Sequence, residues 1–247
     1  MACIKPSSAR AGFLGNRAYN WLRLWLLLSV GDDMVQGVSV VTTTWNEREN
    51  IEKLILRVKS ALEDFPHEII VVDDSSSDGT IEVAKRVADL AVSKVREGQT
   101  KGLLYGMKLA KFPRVVTIDA DLENDPKLIL SLVQKLGEFD LVVASRTVLP
   151  RFSEKLASKT LGKMFGVSDF FSNFRVYKKE ATANLRLKDG ETFGGELLVS
   201  ARKNGLRIGE VTYAPPPRRS KPRIGGTVRA NFRIMAALFK CFIIYLV

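Results

Sequence analysis

Asp119-Ala120-Asp121 closes an apolar, β-branched run, Val115-Val116-Thr117-Ile118. A run of this kind reads as a buried strand. Two carboxylates one residue apart, where such a strand opens into a loop, offer hard oxygen ligands to Mg²⁺ or Mn²⁺. Such ions are commonly held by one or two carboxylates together with the phosphates of a substrate. The pair therefore suits a metal–diphosphate. Solvated acids at a strand end would look the same in isolation, and the rest of the chain has to decide.

The elements around this pair follow from hydrophobic period. Short apolar runs at Val38–Val41, Glu68–Val72, Ala91–Lys94, Arg114–Ile118 and Leu141–Ala144 alternate with helical patterns. Ile51, Leu54, Ile55, Val58, Leu62 and Phe65 recur at helical spacing, with Asn46 as the expected N-cap and Glu49 as its capping-box partner. Asp125-Pro126 reads as a further helix start. After Pro150 the pattern loosens to a helix at Glu191–Asn204 and a strand at Leu206–Tyr213. Alternation of this type predicts a mainly parallel sheet, whose ligands sit beyond the carboxyl ends of its strands. Polar clusters lie at those ends: Thr43–Glu47, Asp73–Thr80, Asp119–Glu123 and Arg146. Their convergence on one crevice is what raises the carboxylate pair above its background odds.

Composition narrows the chemistry. The 247 residues suit one domain with appendages, and the net charge of +11 calls for anionic partners such as phosphates or an acidic membrane surface. His67 is the single histidine, and Cys3 and Cys241 stand at opposite ends, which removes histidine triads, multi-histidine metal sites and disulfide frameworks. No nucleic-acid motif is present, and aromatics are not interleaved with the basic cluster Arg218–Arg233. Residues 1–33 form an N-terminal extension in which Tyr19–Val30 reads as a signal-like apolar region or an interfacial helix, with a start at Met34 as the plainer alternative. Residues 227–247 read as a C-terminal helix that either lies on a membrane surface or packs on the core.

Rival motifs fail on their own spacing. Asp74-x-Ser76-x-Asp78-Gly79 imitates a calcium loop, yet the position that needs an acid is Lys85. No phosphate-binding Gly-x-x-x-x-Gly-Lys motif and no dinucleotide Gly-x-Gly-x-x-Gly follows the first strand. What remains is Thr43-Thr44-Trp45-Asn46-Glu47, Val71 through Thr80, Ile118 through Leu122, Ser168 through Tyr177, Gly195-Glu196 and Ile208 through Val211. In order and spacing these resemble the family 2 glycosyltransferases of GT-A fold, and within them the dolichol-phosphate mannosyltransferases.

The resemblance implies an α/β GT-A nucleotide-diphospho-sugar transferase domain over 34–226, with a mainly parallel central sheet flanked by helices. It implies inverting, metal-dependent transfer of mannose from GDP-mannose to dolichyl or polyprenyl phosphate. Glucosyl transfer from UDP-glucose to the same lipid, or transfer to a sugar hydroxyl, is the alternative. It places Asp119, Asp121 and Glu123 at a Mg²⁺ or Mn²⁺ ion. It places Thr43, Trp45, Glu47, Val72, Asp74, Ala120, Asp121 and Arg146 at the nucleotide sugar, joined by Arg218, Lys221 and Arg223. Asp121, Arg146, Asp169, Arg175 and Glu196 fall at the reacting groups, with Arg175 and Lys178 suited to the lipid phosphate. Glu47 and Asp74 would equally serve as cap or turn acids, and Asp169 and Glu196 as buried acids paired with arginine. A location on the cytoplasmic face of a membrane and a membrane-anchoring partner subunit go with the same resemblance. The chain departs from the family in four places: Trp45 where tyrosine is usual, Glu123 at the third metal position, a glycine-rich element reduced to Gly98 and Gly102, and Asn173 in place of a glycine.

Overall fold

The computed structural model of the chain describes residues 37–188, 191–215 and 227–247. The expectations for residues 1–33 and for Arg218, Lys221 and Arg223 lie outside the described residues.

One sheet organises the domain. Its strands are β1 (Val38–Thr44), β2 (His67–Asp73), β3 (Leu90–Ser93), β4 (Arg114–Thr117), β5 (Leu141–Arg146), β6 (Arg175–Lys178) and β7 (Ile208–Tyr213), in the spatial order β3-β2-β1-β4-β6-β5-β7. β6 runs antiparallel to both its neighbours, β4 and β5, while the remaining pairs are parallel. The carboxyl ends of all strands but β6 therefore reach one edge, where Thr44, Asp73, Thr117 and Arg146 stand.

The sheet is buried on both faces, as parallel strands require. Val38, Val40, Ile69, Val71, Val116 and Ile118 pack on one side against α1 (Arg48–Ala61), α2 (Thr80–Val87) and, past a turn at Pro126–Leu128, α4 (Ile129–Lys135). Val41, Ile70, Val72, Val115, Leu141 and Val143 pack on the other against α3 (Gln99–Leu109) and the later helices. These later helices are α5 (Phe152–Ala157), continued through a wide turn at Ser158–Gly162 into α6 (Lys163–Phe165), then α7 (Lys179–Thr182), α8 (Gly195–Lys203) and α9 (Thr227–Leu246). Alternate side chains of one strand thus serve two cores. α3 lies so close to the sheet that a Cβ on Gly106 would stand 2.3 Å from Val41 Cγ1.

One local expectation is corrected. Asn46 is not the cap of α1; Glu47 is, without a side-chain capping bond, and no Asn46–Glu49 box forms. Asn46 instead adopts φ 55° and accepts from the Ser77 N–H through Oδ1 at 3.0 Å, tying the loop after β1 to the loop after β2. The strand β6 also escaped the sequence pattern. Its four residues, Arg-Val-Tyr-Lys, carry charges at both ends and show little alternation. Asp125 does cap the Pro126 turn, accepting from the Lys127 N–H at 3.2 Å.

β6 opens on the largest fully buried side chain, Arg175. Its guanidinium donates to the carbonyls of Ser172 at 2.6 Å, Gly194 at 2.9 Å and Phe170 at 3.2 Å, and to the Tyr177 hydroxyl at 3.4 Å. It is a strut between the 168–174 loop and the entrance to α8, and its donors do not face an acceptor phosphate. Lys178 is likewise removed from the crevice. It pairs in register with Arg114, at the amino end of β4, and binds Asp140 at 3.0 Å. Removing the Arg175 fork strands three carbonyls in the interior, each of which loses about 1–3 kcal/mol of solvation or bonding. Arg175→Met should therefore lower the unfolding free energy by about 3 kcal/mol or more, read by urea denaturation. An equally stable variant with a raised KM for the acceptor would return Arg175 to the phosphate.

Candidate active site

Each loop at the carboxyl edge is locked to its neighbour. Thr44 Oγ1 donates to Asp73 Oδ1 at 2.9 Å, Asn46 N–H to Ser76 Oγ at 2.8 Å, and Glu47 N–H to Thr80 Oγ1 at 2.8 Å. Glu47 is buried, and its Oε2 accepts from the Asn50 side chain at 2.8 Å. Thr43 is 8% exposed at the end of β1, and Val72 and Ala120 are buried, so the last two offer a ligand only backbone. Trp45 stands 41% exposed beyond β1, and the Arg96 guanidinium carbon lies 3.6 Å from the centroid of its ring.

Asp74 anchors the loop between β3 and α3. Its carboxylate accepts from Lys94 Nζ at 2.6 Å and from the amides of Glu97 and Gly98, both at 2.9 Å. Burial opposes ionisation of Asp74, but the Lys94 ammonium and the two amides outweigh it and hold the carboxyl below the usual range. Next in the chain, at the start of α3, Gln99 donates from Nε2 to Asp119 Oδ1. Asp74 and Asp119 are thus joined through one short segment, 94–99.

Asp119 and Asp121 are both half-buried at the end of β4. Burial, followed by the Asp121 charge, pushes the Asp119 carboxyl up to about 7, against bonds from Gln99 and Asn173 and the positive charge of Arg146. Leu122 takes φ 64°, and the turn brings the Glu123 N–H onto Asp121 Oδ1 at 3.0 Å. Among the described residues no three acidic, histidine or cysteine side chains are gathered round one point. Glu123 meets Asp121 here through its backbone N–H. The Asp119–Asp121 pair still fits a divalent cation, since both donors are hard oxygens and a cation between them would relieve the charge that raises Asp119.

Arg146, at the end of β5, binds Asp169 in a fork: Nε to Oδ2 at 2.6 Å and an Nη to Oδ1 at 3.2 Å, with Glu154 at 3.6 Å. Burial acts against the Arg146 charge, and the Asp169 carboxylate outweighs it, so its pKa rises above the ordinary value. Asp169 is 1% exposed with both oxygens engaged, which matches the buried ion pair weighed above. Glu196 is also buried, accepting from the Lys188 N–H while its own N–H donates to Thr192 Oγ1 at 3.0 Å. Sequence reasoning did not single out Gln99, Lys94, Arg96 or Tyr213. Tyr213 donates to Asn124 Oδ1 at 2.6 Å, and its phenol is pushed upward, chiefly by burial, with Asp169, Asp119 and Asp121 adding to the effect. The only signal for the first three was their place beside Gly98.

Comparison with known proteins places this geometry. The sequence model of glycosyl transferase family 2 matches residues 39–195. A dolichol-phosphate mannosyltransferase of Pyrococcus furiosus is 34% identical over 82% of this chain and 64% of its own length, so the chain spans just under two thirds of that relative. A dodecaprenyl-phosphate galacturonate synthase of Rhizobium johnstonii is 28% identical over 84% of this chain and 69% of its own. Among solved structures, glucosyl-3-phosphoglycerate synthase of Mycobacterium tuberculosis superposes with a TM-score of 0.69 at 23% identity, over 83% of this chain and 80% of that one. Another structure of that enzyme holds Mn²⁺ and UDP. These structures share the GT-A fold of this domain.

The Asp74 clamp has a direct test. Asp74→Asn should accelerate amide exchange at Glu97 and Gly98 by about tenfold or more, with the rest of the sheet unchanged. Because the folded carboxyl is held below its unfolded value, the clamp is fully present above about pH 4 and weakens as pH falls through the lowered value. Exchange that is the same in the variant and the parent would remove Asp74 from this role.

Proposed function

The chain belongs to glycosyl transferase family 2 and is an enzyme of that family, and we propose that it transfers mannose from GDP-mannose to a dolichyl or other polyprenyl phosphate with inversion. The observation that carries the reading is the Asp119–Asp121 pair facing the Arg146 charge at the edge where the parallel strands end. That edge is where such a sheet receives a nucleotide. The choice of lipid phosphate and mannose is supported by the likeness to the Pyrococcus furiosus enzyme, and a prenyl-phosphate acceptor also by the Rhizobium johnstonii one.

The bond to be broken joins the anomeric carbon to the donor diphosphate. Asp119 and Asp121 are the residues that would hold Mg²⁺ or Mn²⁺, and the ion supplies neutralisation of the diphosphate charge when bound. Arg146 adds a second positive charge whose direction is set by Asp169 and Glu154 before any ligand arrives. A phosphate monoester loses its second proton near pH 6, so the acceptor is already an oxyanion at neutral pH. Its oxygen attacks the anomeric carbon from the side opposite the diphosphate, and GDP departs with the bonding electron pair. No proton has to be removed, which agrees with an Asp169 engaged by Arg146 on both oxygens. By the family resemblance, Arg218, Lys221 and Arg223 complete the cationic wall around the phosphates.

Such an acceptor requires contact with a membrane. Among the described residues no helix is long and apolar enough to cross one. α9 buries Ala230, Ile234, Ala237, Leu238 and Cys241 against the domain, and exposes Val228, Phe232, Phe239, Phe242, Ile243 and Leu246. At 100° per residue the exposed set lies on one arc, with Arg229, Arg233 and Lys240 along its flank. This is an interfacial pattern, with cations placed to meet anionic headgroups. The reading is of a peripheral enzyme on the cytoplasmic face, accompanied by a membrane-anchoring partner subunit.

Incubation with labelled GDP-mannose, Mn²⁺ and dolichyl phosphate should give a labelled lipid, and turnover only with another donor would replace mannose in this reading. Asp121→Ala should cut that turnover by about a hundredfold or more while leaving the melting temperature unchanged or slightly raised, because a like charge beside Asp119 is gone. Phe239→Glu should weaken sedimentation with anionic vesicles by about tenfold without touching the buried face of α9, and unaltered sedimentation would clear α9 of the membrane role.

A further inference from the structure

The segment between β3 and α3 carries an arginine whose surroundings the reaction so far leaves unexplained. Asp74 fixes this segment at three points, the Lys94 ammonium and the amides of Glu97 and Gly98. Between those points Val95 is 79% exposed and Arg96 is exposed as well. Arg96 folds back onto one face of Trp45, its guanidinium carbon 3.6 Å from the ring centroid. Among the described residues its guanidinium has this ring as its contact and makes no hydrogen bond or ion pair. Five N–H donors are therefore held at the mouth of the crevice with only an aromatic face beneath them.

Trp45 follows β1 at the edge where the nucleotide of the proposed reaction would lie, and it is the exposed aromatic surface on which a base can stack. An intervening ring needs about 3.5 Å on each side. The observed separation leaves no such layer, so a base reaches this face of Trp45 only as the guanidinium slides off it. Because the backbone is held before Arg96 by the Lys94 N–H on the Asp73 carbonyl and after it by the Glu97 and Gly98 amides on Asp74, the side chain is the part that moves, and it comes to rest along the edge of the arriving base. What it meets there differs between bases. Guanine presents O6 and N7, two neighbouring acceptors that match the parallel N–H groups of an arginine fork. Adenine puts an amino donor in place of O6. Uracil offers a single O4 at the corresponding edge, next to an N–H donor.

We propose that Arg96 is a specificity-determining residue of this enzyme, leaving the Trp45 face to donate in bidentate fashion to a guanine base and so favouring a guanosine diphosphate donor over a uridine one. The proposal rests on the nucleotide-sugar reading of the site and adds the residue that reads the base.

Titration calorimetry of the full chain with GDP and with UDP, each in the presence of Mn²⁺, tests it. The parent protein should bind GDP more tightly. Arg96→Ala should weaken GDP by about tenfold and UDP by less than twofold, and Arg96→Lys should fail to restore GDP because an ammonium lacks the planar fork. Arg96 is exposed, so the variants should melt with the parent. Equal losses for both nucleotides would make Arg96 a general stacking or phosphate contact and overturn the proposal. So would unchanged GDP affinity, or parent protein that prefers UDP, and in both cases a nucleotide-sugar site would still stand. A parent that binds neither nucleotide would overturn the nucleotide-sugar reading itself and this inference with it.

Discussion

Asp119 and Asp121 carry like charges into a half-buried crevice, and their repulsion is the constraint to which the surrounding residues answer. Left alone, such a pair would protonate or splay apart. Gln99 and Asn173 hold Asp119 by hydrogen bonds, Arg146 offsets its charge, and the Leu122 turn gives Asp121 a backbone amide. Burial, followed by the Asp121 charge, still leaves the Asp119 carboxyl raised against these partners. On the reading proposed above, a diphosphate-bound cation would relieve that repulsion.

The remaining buried ions hold these partners in place. Arg146 is aimed by Asp169 and Glu154, the segment bearing Gln99 is clamped by Asp74, and the loop bearing Asp169 and Asn173 is strutted by Arg175 through backbone carbonyls. Several acids that read as candidates for proton transfer or nucleotide binding are thus engaged by other residues of the domain. A buried charge is tolerated when every polar atom has a partner, and in return it allows few alternative geometries. On the proposed reading, an acceptor that is already ionised would make this economical, since no side chain would have to combine a fixed position with proton exchange.

The helical layer on the far side of the sheet links the same site to its surroundings. α8 and α9 cover the face formed by Leu141, Val143 and Tyr177, and Gly194, at the start of α8, accepts from Arg175. The buried face of α9 is thus part of the core, and its apolar outer face is the surplus that a soluble helix would not need. A single element thus contributes to the core and, on the reading proposed above, to membrane contact, which is why a substitution on its outer face is a cleaner probe than truncation.

The parallel sheet and the convergence of strand ends were legible in the sequence, because alternating strand and helix periods leave only a few ways to bury two-sided strands. The Asp119–Asp121 pair and its place at a strand end were legible for the same reason, and so was the family, through motifs in order and spacing. The strand β6 was not legible, since four residues with charged ends acquire a strand's identity only by pairing with β4 and β5. Nor were the roles of Arg175, Asn46 and Glu123, because type and spacing do not say which way a side chain or an amide points. Asp74 and Asp169 carried two readings each, acids at the nucleotide or the reaction and acids of structure, and only their bonds to Lys94 and Arg146 described what they hold. Residue types and their period thus determined the sheet and the family, whose ligand is read above as a nucleotide sugar. Which charges face that ligand and which face one another was decided by tertiary contacts, since pairing depends on distances between segments far apart in the chain.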